Sequence, residues 1–523
     1  MKITFVNPPI TLTNPKRLPK IQPPLGMAYL AACVRDAGHT VNVVDAIGSA
    51  LGRHAPFRDG YYLHGLPIDE ILDRIDADVD VIGVSVMFSS FWPMSRTLIE
   101  ALRQRFPRAV IVCGGEHVTA LTSFVMEQSP VDYAVMGEGE ETLVELLAHL
   151  AGGPDSLPID RIAGLAYRAA DGKPIVGPKR QRRRALDDIP WPAWDLFPLE
   201  EYLDSSLLFC MPLQANQRPM VILATRGCPY TCKFCSNEQM WGINYFMRSP
   251  KDVVDEMEFY MRRFGASDFH FQDLTPIVNA RWSYQLCQEI IDRKINITWK
   301  TAAGTRSEAL ELELLKKMRE SGCDELIMAP ESGSDEILEI NRKRVNLEKV
   351  LRVARWIRDH RIGMRVTAFM IVGFPEERLR DVFRTYRYLV RMARSGFSTV
   401  YVARFTAYPG CEYHDIAVRE GKIVHNDEYF LNLERSFGLL NFRQSVFAWH
   451  PRWSARFILL LTTIAYLTFF LSYYLLHPVE GAHAVWNVLR NKPDSRFERL
   501  FAYLLWQPLS RRQRAAPVSP AAT

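Results

Sequence analysis

Arg226-Gly-Cys-Pro-Tyr-Thr-Cys-Lys-Phe-Cys235 is the stretch of this 523-residue chain that decides most about its fold. Its cysteines, Cys228, Cys232 and Cys235, have the spacing C-x3-C-x2-C, and Phe234 precedes the last of them. Three thiolates on one short loop can hold three corners of a cubane iron–sulfur cluster and leave the fourth iron open. Because an open iron can bind and activate a small molecule, the motif predicts a catalytic cluster.

Two other uses of these cysteines fit the sequence less well. A structural zinc site takes four Cys or His ligands, and the nearest further candidates are Cys210 and His270. Nine cysteines in 523 residues is an odd number and ordinary intracellular usage, which does not indicate a disulfide framework. The composition, 48% hydrophobic and 24% charged, is that of a globular protein, and the length predicts two or three domains.

The cysteine spacing with its aromatic residue resembles the signature of the radical S-adenosylmethionine (SAM) superfamily. The resemblance implies that Cys228, Cys232 and Cys235 hold a 4Fe-4S cluster, with Phe234 in the cofactor site. It also implies that the open iron chelates SAM, and that an electron from the cluster cleaves SAM to a 5′-deoxyadenosyl radical. A reductant such as flavodoxin or ferredoxin is therefore an expected partner.

Residues 1–150 alternate short apolar runs with helical patterns, which predicts an α/β domain with a doubly wound parallel sheet. The predicted strands are Ile3–Val6, Val41–Asp45, Val81–Val86, Val110–Cys113 and Tyr133–Met136. Ligands of such sheets lie beyond the carboxyl ends of the strands. The loops there are Asn7-Pro-Pro, Ser85–Ser90, Gly114-Gly-Glu-His-Val-Thr119 and Gly137-Glu-Gly-Glu140.

Placed before the cysteine motif, this domain resembles the Rossmann-like cobalamin-binding domain of cobalamin-dependent radical SAM enzymes. The resemblance implies a cofactor contact for Gly114, Gly115, His117, Gly137 and Glu138. The Asp-x-His-x-x-Gly motif whose histidine coordinates cobalt in other cobalamin proteins is absent, so we expect cobalamin without a histidine ligand. His117 is expected to hydrogen-bond the cofactor or to cap its turn. A degenerate domain that has lost cobalamin is the alternative.

Residues 151–215 change character and are predicted to be a linker or strap, with the basic run Lys179–Arg184 as a solvated part of it. In residues 216–415 the alternation resumes with six predicted strands. Six strands fit the partial (β/α)6 barrel of radical SAM proteins, in which function collects at the carboxyl ends of the strands. The predicted strands are Val221–Thr225, Phe269–Gln272, Ile297–Thr301, Glu325–Ala329, Arg365–Ile371 and Thr399–Phe405.

Several polar residues and glycines follow these strands, and the resemblance assigns them to SAM. Asp273 lies where the family presents a polar group to the SAM amino group. Glu331 and Ser332 are expected at the ribose or carboxylate, and Gly373 and Glu376 resemble the family stretch that lies against the adenine.

Residues 416–523 are predicted to be a hydrophobic helical tail. Phe457–Leu476 is 20 residues without a charge, about the length that spans a bilayer core. Phe497–Leu505 has the pattern of an interfacial helix. A spanning helix, a monotopic hairpin and a helix docked on the barrel all fit. We expect the tail to contact a membrane and the enzyme to lie in the cytoplasm, at the inner face of the cytoplasmic membrane.

The combined pattern predicts a cobalamin-dependent radical SAM enzyme that methylates an unactivated carbon. A membrane location suggests a hydrophobic substrate such as a lipid, isoprenoid or tetrapyrrole. An oxidative cyclase of the anaerobic porphyrin-ring type, without methyl transfer, is one alternative. A non-catalytic cobalamin-binding sensor is another, although it needs no open-iron cysteine triad. An RNA methylthiotransferase would need three more cysteines and an RNA-binding module, so we expect no nucleic-acid partner.

Overall fold

The computed structural model describes residues 1–13, 21–58, 60–153, 156–205, 217–435 and 449–490, together with residues 498 and 502. The chain begins with an α/β unit whose elements are β1 (Lys2–Asn7), β2 (Ile10–Leu12), α1 (Leu25–Asp36), β3 (Thr40–Asp45), β4 (His54–Arg58), β5 (Tyr61–His64), α2 (Ile68–Asp73), β6 (Val81–Ser85), α3 (Trp92–Arg105), β7 (Val110–Gly114), α4 (Glu116–Ala120), α5 (Thr122–Gln128), β8 (Tyr133–Val135) and α6 (Glu140–Leu150).

The parallel part of the first sheet has the strand order β3-β1-β6-β7-β8. The order reverses between β1 and β6, and doubly wound sheets bind ligands at this switch point, beyond the carboxyl ends of the strands. The loops that begin at Asn7 and Ser85 therefore flank the expected ligand site. The prediction of a doubly wound sheet is confirmed.

The segment predicted as a linker contributes more structure than expected. It contains β9 (Leu165–Arg168), β10 (Pro174–Val176) and α7 (Leu199–Asp204), and both strands extend the first sheet in antiparallel pairing beside β8. Its proline-rich part is ordered, as predicted, and packs between the two main units. Trp194 is 2% exposed and its Nε1 donates a hydrogen bond to the Tyr260 hydroxyl at 3.1 Å.

The central unit carries the second sheet. Its elements are β11 (Pro219–Ile222), β12 (Thr225–Arg226), α8 (Asn237–Trp241), β13 (Phe246–Met247), α9 (Pro250–Phe264), β14 (Asp268–Phe271), α10 (Ala280–Asp292), β15 (Thr298–Thr301), α11 (Leu312–Glu320), β16 (Cys323–Glu331), α12 (Asp335–Ile340), α13 (Leu347–Asp359), β17 (Arg365–Val372), α14 (Leu379–Ser395) and β18 (Thr399–Arg404).

Six strands of this unit form a parallel sheet in the order β11-β14-β15-β16-β17-β18. β11 and β18 do not pair with each other, so the barrel is open, as the partial (β/α)6 prediction requires. Local signals set the helix ends. In α9, the Ser249 side chain accepts a hydrogen bond from the Asp252 N–H, Pro250 opens the helix, and Gly265 ends it with a left-handed φ of 66°.

The C-terminal part contains α15 (Glu412–Arg419), α16 (Asp427–Arg435), α17 (Ala455–Leu476) and α18 (Pro478–Leu489). α16 returns to the first unit, where Asp427 accepts hydrogen bonds from Arg58 and Arg96. α17 is long and apolar enough to cross a membrane, but one of its faces is packed against α14 and β18. One face of α17 is thus docked on the barrel, and a membrane contact of the tail stays a prediction. The predicted helix Phe497–Leu505 lies mostly outside the described residues.

Candidate functional site

The three motif cysteines lie in the loop between β12 and α8, at the mouth of the open barrel. Cys228 and Cys232 are half-buried and Cys235 is exposed, whereas the described cysteines outside the motif are buried, apart from half-buried Cys33. Backbone bonds shape the loop: the Cys235 N–H donates to the Cys232 carbonyl at 3.0 Å, and the Asn237 amide donates to the Cys228 carbonyl at 3.2 Å. The accessible thiols are thus those that the motif predicts.

Two cations border the cysteine loop. Arg306 has a guanidinium nitrogen 4.0 Å from the Cys232 sulfur and stacks on the Tyr230 ring at 3.4 Å. Its other contacts are backbone carbonyls, including that of Arg344 at 2.6 Å. Lys343 lies 5.8 Å from the Phe234 ring centre. Positive charge this close compensates the negative charge of an iron–sulfur cluster held by this loop.

The residues fit an iron–sulfur cluster with an open iron. One loop supplies three accessible thiols, and the two cations compensate negative charge. Within the part of the chain that the structure describes, no three His, Cys, Asp or Glu side chains are placed to hold a single metal ion. A cubane is larger than one ion and spreads its ligands more widely, so this loop suits the cluster better than zinc.

Asp273 lies beneath the cysteine loop. Its side chain is fully buried, and its Oδ1 accepts hydrogen bonds from the Thr225 N–H at 2.5 Å and the Thr225 hydroxyl at 2.6 Å. Burial raises the pKa of Asp273 to about 6. These contacts make Asp273 a support of the strand end that leads into the loop, and its contact with the SAM amino group stays a prediction.

Replacing Asp273 with alanine should loosen this strand end. The Thr225 N–H and the neighbouring Ala224 N–H, which donates at 3.2 Å, would lose their acceptor, at a cost of about 1–3 kcal/mol. We expect a lower unfolding midpoint and less iron bound per chain after anaerobic reconstitution. Asp359→Ala, which removes an exposed carboxylate that pairs only with adjacent Arg358, serves as the control. Unchanged iron content and midpoint would contradict a supporting role.

Glu331 is the last residue of β16 and Ser332 follows it, near Lys343. Glu331 has a left-handed φ of 66°, which costs free energy for a residue with a side chain, and its Oε1 accepts a hydrogen bond from Lys343 at 3.0 Å. Ser332 is fully buried, and its hydroxyl accepts a hydrogen bond from the Ser334 N–H at 3.2 Å. Glu331 therefore connects the end of β16 to the cation beside the cluster loop, while Ser332 shapes the turn.

Gly373 and Glu376 follow β17 and contact the C-terminal part of the chain. Gly373 has a φ of 97°, and a Cβ added there would lie 2.9 Å from an Ile458 methyl of α17. The Glu376 carboxylate accepts a hydrogen bond from the Tyr413 hydroxyl at 2.7 Å. A SAM contact for either residue stays a prediction.

The neighbouring carboxyl group of Glu377 predicts a pH dependence. It is fully buried and accepts a hydrogen bond from the Gly373 N–H at 2.6 Å. Burial raises the pKa of this carboxyl group from 4.5 to about 8. The folded chain then holds a proton that the unfolded chain releases, so the contribution of this carboxyl group to stability is complete below pH 4.5 and is lost as the pH rises to about 8. The urea midpoint of Glu377→Gln should change less with pH over this range than the midpoint of the parent protein. An equal pH dependence of the two midpoints would contradict the raised pKa of Glu377.

The glycines assigned to cobalamin stand at the carboxyl edge of the first sheet. Gly115 has a φ of 122°, and a Cβ there would lie 2.6 Å from the Val86 carbonyl. Gly114 has no left-handed φ, and a Cβ there would make an ordinary contact with the Val135 carbonyl at 3.6 Å. Gly137 has a φ of 70°, and its N–H donates a hydrogen bond to the Thr119 hydroxyl at 2.9 Å. These loops thus require glycine for their backbone paths at Gly115 and Gly137.

The expectation that His117 caps its turn does not agree with the structure. Its ring is 1% exposed and lies between Trp92 and Phe430, with ring centres 5.0 and 5.3 Å away. Nδ1 is 2.9 Å from the Ser89 hydroxyl, and no side-chain capping bond is formed at α4. Burial lowers the pKa of His117 to about 3, so the ring is neutral. The side chain lies in the core and does not cap the turn, and its hydrogen bond to the cofactor stays a prediction.

Two large apolar side chains that sequence reasoning missed occupy that open edge. Met87 and Phe88, in the loop after β6, are 44% and 62% exposed. They stand at the switch point of the sheet, where a ligand is expected. Exposed large apolar side chains beside glycine-rich loops fit a broad, flat ligand such as a corrin ring. The strand order of the sheet identifies this loop as part of the ligand site, and strand order cannot be read from the local sequence.

Glu138 belongs to a buried ion-pair network between the two main units. It accepts hydrogen bonds from Arg226 at 3.1 Å and from Arg182 at 2.9 Å. Arg226 also pairs with Glu140 at 2.7 Å and stacks on Tyr29 at 5.0 Å. Glu138 therefore acts as an ion-pair partner, with only 11% of its side chain exposed.

The basic run Lys179–Arg184 is consequently more than a solvated linker. Arg182 also donates to the carbonyls of Trp241 and Asn244, on the far side of the cysteine loop. Together with Arg180, which pairs with Glu145, it borders a cavity of about 240 Å³ between the strap, α6 and α8. The run binds both units, and its acidic partners are distant in sequence.

The mouth of the barrel and the carboxyl edge of the first sheet face each other. The Ser236 hydroxyl, just after the cysteine motif, donates to the Glu116 carboxylate in the glycine-rich loop. A Cβ at Gly410 would lie 3.1 Å from Ala120 and 3.3 Å from Ser236. The predicted cluster loop and the predicted cobalamin edge are thus brought to one interface.

Comparison with known proteins agrees with this arrangement. The sequence model of the Radical SAM superfamily matches residues 222–389, and that of the B12 binding domain matches residues 17–147. Cytidylyl-2-hydroxyethylphosphonate methyltransferase of Streptomyces wedmorensis is 28% identical over 84% of this chain and 86% of its own length. Anaerobic magnesium-protoporphyrin IX monomethyl ester cyclase of Synechocystis is 27% identical, covering 78% and 77%.

Among solved structures, the cobalamin-dependent SAM radical enzyme OxsB, with aqua-cobalamin and SAM bound, superposes with a TM-score of 0.66. The likeness covers 97% of this chain and 75% of OxsB at 15% sequence identity. At that identity it shows the shared fold, including the order of the two units along the chain.

Proposed function

Because this chain belongs to the cobalamin-dependent radical SAM enzymes, we propose that it methylates an unactivated carbon of a hydrophobic substrate. The observation that carries the proposal is the placement of the accessible cysteine triad at a barrel mouth that faces the open edge of the first sheet. Radical formation on one side and methyl donation on the other require such a shared cleft.

When bound, the cluster and cobalamin supply the electron that cleaves SAM and the methyl group that is transferred. Cys228, Cys232 and Cys235 would hold the cluster, and Arg306 and Lys343 would balance its charge. Asp273 holds the strand end from which the cysteine loop projects. We propose that cobalamin lies over Met87 and Phe88 without a histidine ligand, since His117 is enclosed by Trp92 and Phe430.

The side chains on the inner wall of the barrel favour a hydrophobic substrate. Phe369 and Ile371 on β17 pair with Tyr401 and Ala403 on β18, and these four side chains alternate with residues packed against the outer helices. The first three are partly exposed and Ala403 is exposed, so they line open space inside the barrel. Apolar and aromatic linings are typical of small-molecule sites that take apolar ligands.

Electron supply and location complete the proposal. A small soluble carrier of the flavodoxin or ferredoxin type would reduce the cluster, in the cytoplasm. Ring formation without methyl transfer is the second candidate reaction, because the Synechocystis relative is a cyclase. Both reactions begin with the same cleavage of SAM, and they differ in whether a methyl group leaves a second SAM molecule.

The test uses full-length protein reconstituted anaerobically with iron, sulfide and cobalamin. It is incubated with titanium(III) citrate, SAM carrying a labelled methyl group, and a detergent-dispersed lipid extract as the hydrophobic probe. We expect 5′-deoxyadenosine and S-adenosylhomocysteine together, with the label in the organic phase. A parallel reaction with cytidylyl-2-hydroxyethylphosphonate as a polar probe should leave no label in that compound.

Each other outcome has a defined meaning. Deoxyadenosine alone would favour the cyclase reaction. Transfer of label to the polar probe would contradict the hydrophobic substrate but support methyl transfer. Neither product, with the cluster verified by absorbance and paramagnetic resonance, would contradict the proposed function.

A further inference from the structure

We propose that the outer face of α17, with the adjoining parts of α14 and α18, docks on the anionic surface of a lipid bilayer. The chain would lie on the membrane and would not cross it. The surface is independent of the reaction, and it bears on the proposed function only through delivery of a hydrophobic substrate. The argument rests on exposed apolar side chains, on their charged neighbours and on the contacts of the opposite face.

α17 is apolar on both faces. Its inner side is buried against the barrel. Its outer side carries Leu460, Ile464, Leu467, Leu471 and Leu475, whose spacing of four, three, four and four residues forms one stripe. Leu471 is 55% exposed and Leu475 is 82% exposed. A helix that is apolar all round is normally covered on every side, and the described residues leave this stripe open.

The inner contacts of α17 argue against a spanning helix. The Tyr386 hydroxyl donates to the Leu461 carbonyl at 2.8 Å, and Ile458 packs against the backbone at Gly373. Phe469 is fully buried against the barrel. A helix surrounded by lipid would have to give up this entire face. Burial of the outer stripe in the interfacial layer of a bilayer keeps both faces covered.

The charge beside the stripe has the sign that anionic lipids attract. Phe383 of α14 is 61% exposed, and Arg387 and Arg394 lie on the same helix face, four and eleven residues further on. Both arginines are exposed and form no ion pair with any described residue.

α18 extends the apolar surface. Val485 is 60% exposed and Trp486 is 52% exposed, and tryptophan favours the boundary between lipid and water. Basic residues near the surface of an anionic bilayer each contribute about 1 kcal/mol of attraction. Apolar side chains with a basic border are therefore the combination that peripheral membrane helices use.

Charge also disfavours the other occupants of this face. A two-fold dimer through the stripe would bring the same arginines together, and like charges at an interface are unfavourable. The C-terminal residues 491–523 carry six Lys and Arg against two Asp and Glu, so they have the same sign as the patch. A negatively charged bilayer is the complementary partner.

The test is flotation of the full-length reconstituted protein with liposomes. We expect flotation with phosphatidylcholine–phosphatidylglycerol vesicles and little with phosphatidylcholine alone. Leu471→Gln with Leu475→Gln should lower the bound fraction about tenfold, because two exposed apolar side chains would no longer enter the bilayer. Arg387→Glu with Arg394→Glu should weaken binding to the anionic vesicles by a similar factor.

Val424→Gln is the matched control, since Val424 is 66% exposed on the segment between α15 and α16, away from this face. It should float like the parent, and circular dichroism melts should show that all variants are folded. The proposal is overturned if the parent chain does not float, or if the leucine variants float as well as the parent. It is also overturned if light scattering shows a dimer that the leucine variants convert to monomer while no vesicles are bound. Flotation without any SAM cleavage would leave this proposal standing and contradict the proposed function.

Discussion

Replacing Cys232 with serine is expected to lower the formation of 5′-deoxyadenosine from SAM by at least about a hundredfold. Loss of a residue that only supports a metal ligand costs 10–100-fold in metal affinity or activity, and loss of the ligand itself should cost more. The remaining thiols, Cys228 and Cys235, would hold only two corners of the cubane. The cluster should then be incompletely loaded, with loss of its absorbance and paramagnetic signal.

The measurement is anaerobic reconstitution, followed by iron analysis and quantification of deoxyadenosine with a strong chemical reductant. Cys33→Ser is the matched control, because Cys33 is half-buried like Cys232 but lies on α1, and it should retain cluster and activity. If Cys232→Ser still cleaved SAM at the parent rate, the cluster assignment would fail. If neither protein cleaved SAM and cobalamin still bound, the cobalamin-sensor alternative would gain support.

The second large effect is expected from Arg226→Met. Arg226 is 6% exposed and is paired with Glu138 and Glu140, whose side chains are each 11% exposed. Burial by itself would lower the pKa of Arg226, but the negative charges of Glu140 and Glu138 raise it by a larger amount. The guanidinium therefore stays charged. Removing one partner of a buried pair leaves uncompensated charge and costs about 3–5 kcal/mol.

This network holds the first unit against the cysteine loop, so the loss should also be visible in the reaction. We expect a lower denaturation midpoint and a higher ratio of deoxyadenosine to S-adenosylhomocysteine than in the parent. Arg226→Lys should recover only part of the stability, since an ammonium cannot fork between two carboxylates and stack on Tyr29 as a guanidinium does.

Arg35→Met is the matched control for stability. Arg35 forms its ion pair with Asp195 at 2.8 Å, but the two side chains are 44% and 56% exposed, so the loss should be at most about 1 kcal/mol. Equal midpoints for the Arg226 and Arg35 variants would show that the buried network contributes no more than a surface pair.

The elements of both sheets could be predicted because their signals are local. β6 and β7 are almost continuous apolar runs, as fully buried parallel strands are. The cysteine motif is equally local, since only six residues lie between its first cysteine and its last. Helical and strand periodicities need no knowledge of the remainder of the chain.

Functions of single polar residues were harder to predict. The sequence places Asp273 at a strand end but does not show that its carboxylate accepts hydrogen bonds from Thr225, 48 residues away. His117 stands in a glycine-rich loop, yet Phe430, 313 positions later in the chain, encloses it. A side chain's direction depends on which neighbours arrive, and these neighbours come from other elements.

The sequence by itself determined the cluster motif, the order of an α/β unit and an open six-stranded barrel, and the presence of one long apolar helix. Those features follow from periodicity and from spacing within single elements. Only the tertiary structure decided that Arg182 and Arg226 both form ion pairs with Glu138, and that β9 and β10 belong to the first sheet. It also decided that α17 packs its inner face on the barrel. An apolar helix has the same composition whether protein or lipid covers it, and only the packing of distant elements distinguishes the two.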